Sequence, residues 1–236
     1  MPICRLCHKD RILRKSHIVP EFLYSHLYNE KGHMMGINGI GAKGWKPLQQ
    51  GIREHFFCEE CEQHFNEHFE KPFRQQWVVN CPLPAPWNVP EPHWISVSYA
   101  TFKLFHLSVL FRASVSSLPT YSEAVLGIHE ERLRQMIWTK NPGEAWEYPI
   151  WGLALVHHQT SKIVQLVSQV QRGRFAGQRC YAICYGGMQW WIGVNSHRNS
   201  ELEAICLQKD GRIPVSTINW RVLGLIQSAS RLLCKN

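Results

Sequence analysis

The sequence predicts an α+β protein in which a small N-terminal unit built around a metal ion precedes a larger unit of helices and an antiparallel sheet. Two Cys-x2-Cys pairs in the first 61 residues indicate the first unit. Further along, apolar residues recur with helical spacing between 96 and 139, and the period changes to that of strands from 148 onward. We therefore predict units at 1–78 and 96–236, joined by a Pro-rich linker at 79–95.

The two cysteine pairs are Cys4/Cys7 and Cys58/Cys61. Two such pairs bring four soft thiolates to one point, which is the tetrahedral arrangement of a structural zinc site. The 50 residues between the pairs exceed the usual spacing of zinc fingers and leave room for a hairpin and a functional insert. The alternative is four unrelated free thiols.

The composition favours a sizeable core and argues against a membrane-spanning protein. Of the 236 residues 44% are hydrophobic, and ten Trp and ten Phe add much buriable area. No apolar run approaches the roughly 20 residues that span a bilayer, and the start of the chain lacks the pattern of a secretory signal. Nine cysteines without such a signal favour a reducing compartment, so we expect a cytoplasmic protein.

The net charge of +8 suits a polyanionic partner such as nucleic acid. The basic surplus is two within residues 1–75 and six within 76–236, where 15 Lys and Arg stand against nine Asp and Glu. The alternative is a basic protein whose charge serves only its solubility, and charge alone does not separate the two.

Residues 3–20 are predicted to form a zinc knuckle and a hairpin. His17 falls at the end of the returning strand, which Pro20 stops because proline cannot continue a strand ladder. The apolar residues of 21–28 have helical spacing, and Pro20 suits a first helical turn.

The segment 31–51 contains six glycines, which predicts loops and short strands. Within it, Trp45 between Lys43 and Lys46 would suit nucleic-acid binding, because the ring could stack on a base while the two cations contact phosphates. The alternative, that Trp45 covers a small core, stays open.

Residues 56–77 are predicted to carry the second zinc knuckle into a helix. Phe65, Phe69 and Phe73 recur every four residues and would form its buried stripe. Two further pairs have the i, i+4 spacing that lets both members face one metal ion, namely Glu62 with Asn66 and His64 with His68.

The second unit is predicted to hold two helices followed by strands. A helix at 96–117 is apolar nearly all round and should be buried, although Lys103, His106 and Arg112 interrupt it. The predicted elements after it are a helix at 122–139, strands at 150–156, 163–170 and 204–207, a hairpin at 180–194, and a closing helix with Trp220, Leu223, Ile226 and Leu233.

The N-terminal third resembles the HNH endonucleases. The resemblance covers about residues 1–72 and consists of Cys-x2-Cys, then His17-Ile18-Val19-Pro20, then Cys-x2-Cys entering a helix. It implies the ββα-metal core of that family, which is treble-clef-like and holds a structural zinc ion at Cys4, Cys7, Cys58 and Cys61.

The resemblance also implies a reaction. The chain would be an HNH-type endonuclease that cleaves phosphodiester bonds of DNA, or less readily of RNA, with His17 as the general base. Glu62, and with it Asn66, would bind a catalytic Mg2+ or Mn2+ ion, since carboxylate and amide oxygens suit hard cations. Defence against foreign DNA would be a natural setting, with 96–236 recognising a protein partner.

The alternative is a catalytically inactive zinc module that binds nucleic acid or a protein partner. Ser16 before His17, the lack of an Asn before the second cysteine pair, and Glu62 directly after that pair depart from the family pattern and favour this alternative. His17 itself favours the enzyme, because a purely structural knuckle does not require a histidine there.

Overall fold

The computed structural model describes residues 2–37, 45–48, 50–195 and 197–222. In its N-terminal part, strand β1 (Leu13–His17) pairs antiparallel with strand β4 (Arg53–Cys58). The register places Leu13 opposite Cys58 and His17 opposite Arg53, with an irregularity after Arg14. The strand pair therefore holds its cysteine at one end and its histidine at the other.

Between these two strands the chain makes a long excursion. Two 3-10 turns, Glu21–Leu23 and Ser25–Leu27, occupy the stretch where the apolar spacing predicts one helix. A second small hairpin follows, with strands β2 (Met34–Ile37) and β3 (Trp45–Leu48). The Gly-rich stretch thus contains short strands, as predicted.

The helix that follows β4 changes its geometry along its length. Helix α1 (Glu59–Phe65) and helix α2 (Lys71–Phe73) are α-helical, whereas Asn66–Glu70 and Arg74–Val79 have π-helical hydrogen bonds. Residues four apart drift by about 40° in an ordinary α-helix, and the wider π turns reduce that drift. The predicted stripe is confirmed, since Phe65, Phe69 and Phe73 are all at most 1% exposed.

The second half of the chain forms a six-stranded sheet in the order β5-β10-β6-β9-β8-β7. Its strands are β5 (His93–Ser96), β6 (Ile150–Val156), β7 (Gln171–Phe175), β8 (Gln178–Tyr185), β9 (Met188–Gly193) and β10 (Arg212–Asn219). All neighbouring pairs are antiparallel except β10 and β6, which run parallel, so the sheet is mixed rather than purely antiparallel.

Two predicted elements of this half differ from the structure, and a third lies mostly outside the described residues. The strand predicted at 163–170 is reduced to one bridge, between Ile163 and Val156. The strand predicted at 204–207 overlaps the end of helix α5 (Ser200–Ile205), which Asn199 caps through its side chain. The predicted closing helix begins with a 3-10 turn at Trp220–Val222, and its remainder lies outside the described residues.

Helix α3 (Tyr99–Ser114) lies at the centre of the core. Every residue from 102 to 113 is buried, as the nearly all-round apolar pattern predicts, and this includes the interrupting Lys103, His106 and Arg112. Its Phe105 stacks on Phe73 of the N-terminal helix with ring centroids 3.7 Å apart. The ring of its His106 contacts that of Trp190 on β9, with centroids 4.4 Å apart. One apolar core therefore joins the helix that follows β4 to the sheet.

Two further elements complete the layer around α3. Helix α4 (Ile128–Thr139) packs beside α3 and buries Leu133 and Ile137. The Pro-rich segment at 79–95 leads into β5, whose residues 93–96 pair with β10 at the edge of the sheet. Within the described residues no helix has the length and apolar character needed to cross a bilayer.

Candidate functional site

The four paired cysteines come together as predicted. The sulfur atoms of Cys4, Cys7, Cys58 and Cys61 all lie within 4.8 Å of one another. The Cys7 and Cys58 Sγ atoms are 3.9 Å apart, close to the roughly 3.8 Å that a tetrahedron with Zn–S bonds of about 2.3 Å requires. These side chains could hold a metal ion such as zinc, and the described residues contain no second group of three or more His, Cys, Asp or Glu ligands.

Backbone geometry explains why the thiols converge. A tight turn after Cys4 closes with a hydrogen bond from the His8 N–H to the Cys4 carbonyl oxygen at 2.9 Å. Cys58 is the N-cap residue of α1, so Cys61 lies about one helical turn further along, on the same side of the helix. Hydrogen bonds from the Cys61 thiol and from backbone N–H groups lower the pKa of Cys4 despite its burial. The thiolate, which is the form that binds metal, is therefore favoured there.

His17 occupies the opposite end of the β1–β4 pair from the cysteines. Its side chain is 21% exposed, and its Nε2 lies 2.7 Å from Glu21 Oε2. That contact is not aligned as a hydrogen bond. Burial, reinforced by the charge of Arg53 on the facing strand, lowers the pKa of His17, whereas Glu21 and Glu70 act in the opposite direction. The net effect favours the neutral form of the imidazole.

Beneath His17, a buried guanidinium connects three elements. Arg112 of α3 is 2% exposed, and its Nη2 donates to Glu70 Oε1 at 2.5 Å. Its Nη1 donates to the carbonyl oxygen of His17 at 3.4 Å. The guanidinium also stands over the Phe65 ring, 4.2 Å from its centroid. Arg112 thus fixes the backbone that carries His17.

Glu62 faces the same guanidinium. Burial raises the pKa of its carboxyl group, and the charge of Arg112 and a hydrogen bond with Ser16 oppose that rise. Glu62 and Glu70 are eight residues apart, which in an α-helix leaves them about 80° out of line. The wider π-helical turn at Asn66–Glu70 reduces this angle, so the charge of Arg112 acts on Glu62 while Glu70 pairs with it directly.

We call His17, Glu21, Arg53, Glu62, Glu70 and Arg112 the His17 cluster. Four buried side-chain atoms of this cluster have no hydrogen-bond partner among the described residues, namely His17 Nε2, Arg53 Nε, Glu62 Oε1 and Arg112 Nε. An unsatisfied buried polar atom costs about 1–3 kcal/mol. Four such atoms at one place suit a site that takes up water, an ion or a polar ligand.

The predicted site residues divide between the cluster and the surface. His17 and Glu62 both belong to the His17 cluster, whereas the side chain of Asn66 is exposed on the helix. The rings of the other predicted pair, His64 and His68, meet edge-to-face with centroids 4.9 Å apart, and His64 Nε2 lies 2.9 Å from the carbonyl oxygen of Ile137. Lys43 lies outside the described residues, as do the side chains of Trp45 and Lys46.

Sequence reasoning missed Glu21, Arg53, Glu70 and Arg112 as parts of this site. A signal existed for one of them, because a charged residue inside an otherwise apolar helix needs a buried partner. Arg112 was such an interruption, but its partners lie 42 and 95 positions away in sequence. Spacing along the chain does not reveal pairs of that kind.

Comparisons of the chain with protein-family models, with curated proteins and with solved structures find no match. The function of the chain therefore has to be inferred from the chemistry of its own residues.

Proposed function

We propose that the protein is a metal-dependent endonuclease of the HNH type that hydrolyses phosphodiester bonds in DNA. The observation that carries this proposal is the setting of His17. Its partly exposed imidazole, for which the neutral form is favoured, lies between the carboxylate of Glu21 and the side chain of Arg53. The antiparallel pair β1–β4 leading into a helix that begins at the second cysteine pair supports a treble-clef-like ββα-metal core. A zinc ion on the four cysteines would hold that core closed.

In this reaction His17 acts as the general base. Its neutral imidazole takes a proton from the attacking water as the water oxygen bonds to phosphorus and the bond to the leaving oxygen breaks. Glu21, 2.7 Å from Nε2, stabilises the imidazolium that forms. Arg53 faces His17 across the strand pair, and its unsatisfied Nε suits a phosphate oxygen.

Glu62 fits a second, hard cation because its Oε1 is buried and makes no hydrogen bond within the described residues. Glu62, with Asn66 one turn further on, would hold Mg2+ or Mn2+, and such an ion supplies charge neutralisation at the phosphate and the leaving oxygen. The setting we propose is defence against foreign DNA in the cytoplasm, with 96–236 as a unit that recognises a partner.

The test is cleavage of plasmid DNA and of RNA, with Mg2+ or Mn2+ supplied, by wild type and by His17→Ala. Loss of a general base lowers the rate by roughly 10²–10⁴-fold. The wild-type rate should also rise with pH through a pKa below the usual value for histidine. The matched control is His68→Ala, an exposed histidine on the helix after β4, which should leave the rate unchanged. Full activity in His17→Ala with an intact fold would reject this mechanism.

A zinc-stabilised module that binds nucleic acid or a protein without cleaving anything is the second candidate. The observation that favours it is that Glu70 and Arg112 already satisfy each other as a buried ion pair, while Asn66 is exposed. Binding of DNA without cleavage by wild type under every metal condition would select this candidate.

A further inference from the structure

Strand β7 carries an unusual concentration of positive charge at the edge of the sheet. Arg172 and Arg174 are both exposed and lie two residues apart, so they share one face of the strand. The register with β8 puts Arg174 opposite Arg179 and Arg172 opposite Tyr181. Directly opposed residues lie on the same face, so the three arginines form one row beside Tyr181.

The start of helix α4 adds a fourth arginine. Arg132 and Arg179 both lower the pKa of His129, after the larger effect of burial. Arg179 and Arg172 in turn act on the phenol of Tyr181, where they oppose the rise in its pKa that burial causes. We call Arg132, Arg172, Arg174 and Arg179 the arginine cluster.

Little negative charge compensates the three arginines on strands β7 and β8. Elsewhere, Arg112, Arg134 and Arg212 each pair with a carboxylate. In the described part of the chain, by contrast, no carboxylate forms an ion pair with the side chain of Arg172, Arg174 or Arg179. Like charges directly opposite each other on paired strands destabilise a sheet, and an anionic partner would remove that cost.

The surface beside β7 is open enough for such a partner. A groove of about 550 Å³ separates β7 from the segment before α4 and is lined by Ser122, Glu123, Val125, Arg172, Gly173 and Arg174. Glu123 is the one acidic residue in that lining, and its carboxylate accepts a hydrogen bond from the backbone N–H of Arg172 at 2.9 Å. Both arginine side chains of the groove are exposed, and guanidinium groups bind phosphate oxygens in bidentate fashion.

We propose that the arginine cluster binds the phosphodiester backbone of nucleic acid and so holds the substrate of the His17 site. The substrate part of this inference rests on the proposed nuclease function, whereas the binding part does not. Helix α4 links the arginine cluster to the N-terminal part of the chain: it contributes Arg132 near its start, and its Arg134 donates to the carbonyl oxygen of Leu6, inside the first cysteine pair, at 2.5 Å.

The test measures binding of a short DNA duplex and of a single-stranded RNA against salt concentration, in the His17→Ala background so that cleavage does not interfere. Arg172→Thr/Arg174→Thr removes two contacts while keeping residues that suit a strand. For the duplex, the slope of log K against log salt concentration should become shallower by about 1.8, because each lost phosphate contact accounts for about 0.9 of that slope. Arg172→Lys/Arg174→Lys should keep the wild-type slope.

The matched control is Lys209→Thr/Arg212→Thr. It removes the same net charge from exposed positions that pair with Glu144 and Asp210, and it should leave the slope unchanged. Thermal unfolding of each variant confirms the fold. If the Arg172→Thr/Arg174→Thr variant loses only DNA binding, the duplex is the ligand. If it loses only RNA binding, the single strand is the ligand.

The proposal is overturned if the Arg172→Thr/Arg174→Thr variant keeps the wild-type dependence of binding on salt, or if the control variant loses as much of that dependence. Binding of polyglutamate but of neither nucleic acid would also overturn it, in favour of an acidic protein. Cleavage by the otherwise wild-type enzyme is assayed separately. If the arginine cluster controls binding but no variant cleaves, the surface stands and the nuclease function fails.

Discussion

Breaking the buried pair between Arg112 and Glu70 should be among the most damaging single changes to the candidate site. Arg112→Met keeps an unbranched side chain but replaces the guanidinium that stands over Phe65 and faces both Glu70 and Glu62 by an uncharged thioether. Two carboxylates would then share one partly buried region with no cation between them. Glu70→Gln removes the charge on the other side of the pair and keeps the shape of the side chain.

The expected magnitude follows from burial. The side chain of Arg112 is 2% exposed and that of Glu70 is 21% exposed. Two unit charges about 4 Å apart attract by about 4 kcal/mol at an effective dielectric constant near 20, and removing one partner of a buried pair costs about 3–5 kcal/mol. We expect a coupling energy of about 3 kcal/mol between the two positions, a large part of the stability of an ordinary domain.

The assay is a double-mutant cycle on the free energy of unfolding in urea, with Arg112→Met, Glu70→Gln and the double variant. The control cycle uses Arg212 and Asp210, whose contact is 2.7 Å but whose side chains are 61% and 52% exposed. An exposed pair of that kind contributes about 0–1 kcal/mol. A coupling in the buried cycle no larger than that of the control would refute the reasoning from burial.

Three further predictions concern metal and pH. Elemental analysis should find about one zinc per chain, and Cys4→Ser/Cys58→Ser should lose it together with stability. Glu62→Ala should slow cleavage, and titration with more Mg2+ or Mn2+ should restore part of the rate. Burial lowers the pKa of His106 well below its usual value, so only the unfolded chain takes up that proton. The free energy of unfolding should therefore fall below about pH 6.5, by up to about 1.4 kcal/mol per pH unit, and His106→Gln should flatten this dependence in urea titrations.

Local patterns predicted the parts of the fold that depend on local geometry. Two Cys-x2-Cys pairs are a common ligand pattern of a tetrahedral metal site, so Cys4/Cys7 and Cys58/Cys61 predicted the four-cysteine cluster. The all-round apolar run of α3 predicted burial, because no solvent-facing side exists on such a helix. His17 was placed at the end of its strand because Pro20 limits how far that strand extends.

The sheet was less predictable because its strands depend on distant partners. Strand β10 (Arg212–Asn219) is half-buried over its second part and runs parallel to β6, which is more than 50 residues earlier in the chain. Strand β7 reads Gln-Arg-Gly-Arg-Phe and lacks the apolar alternation of a strand. Its pairing with β8 comes from the tight turn between them, and Gly173 lies so close to Trp191 that a Cβ there would come within 3.1 Å of the ring.

The His17 cluster has an arrangement that stability alone would not produce. A buried ion pair contributes little net stability compared with apolar side chains of the same volume, and Arg112 stands in a helix whose other neighbours are almost all apolar. The cluster also leaves four buried polar atoms without partners in the described structure. What the arrangement does achieve is to fix the backbone of His17, to place a carboxylate at its Nε2 and to keep the imidazole neutral. A general base needs all three properties, and a merely structural histidine needs none of them.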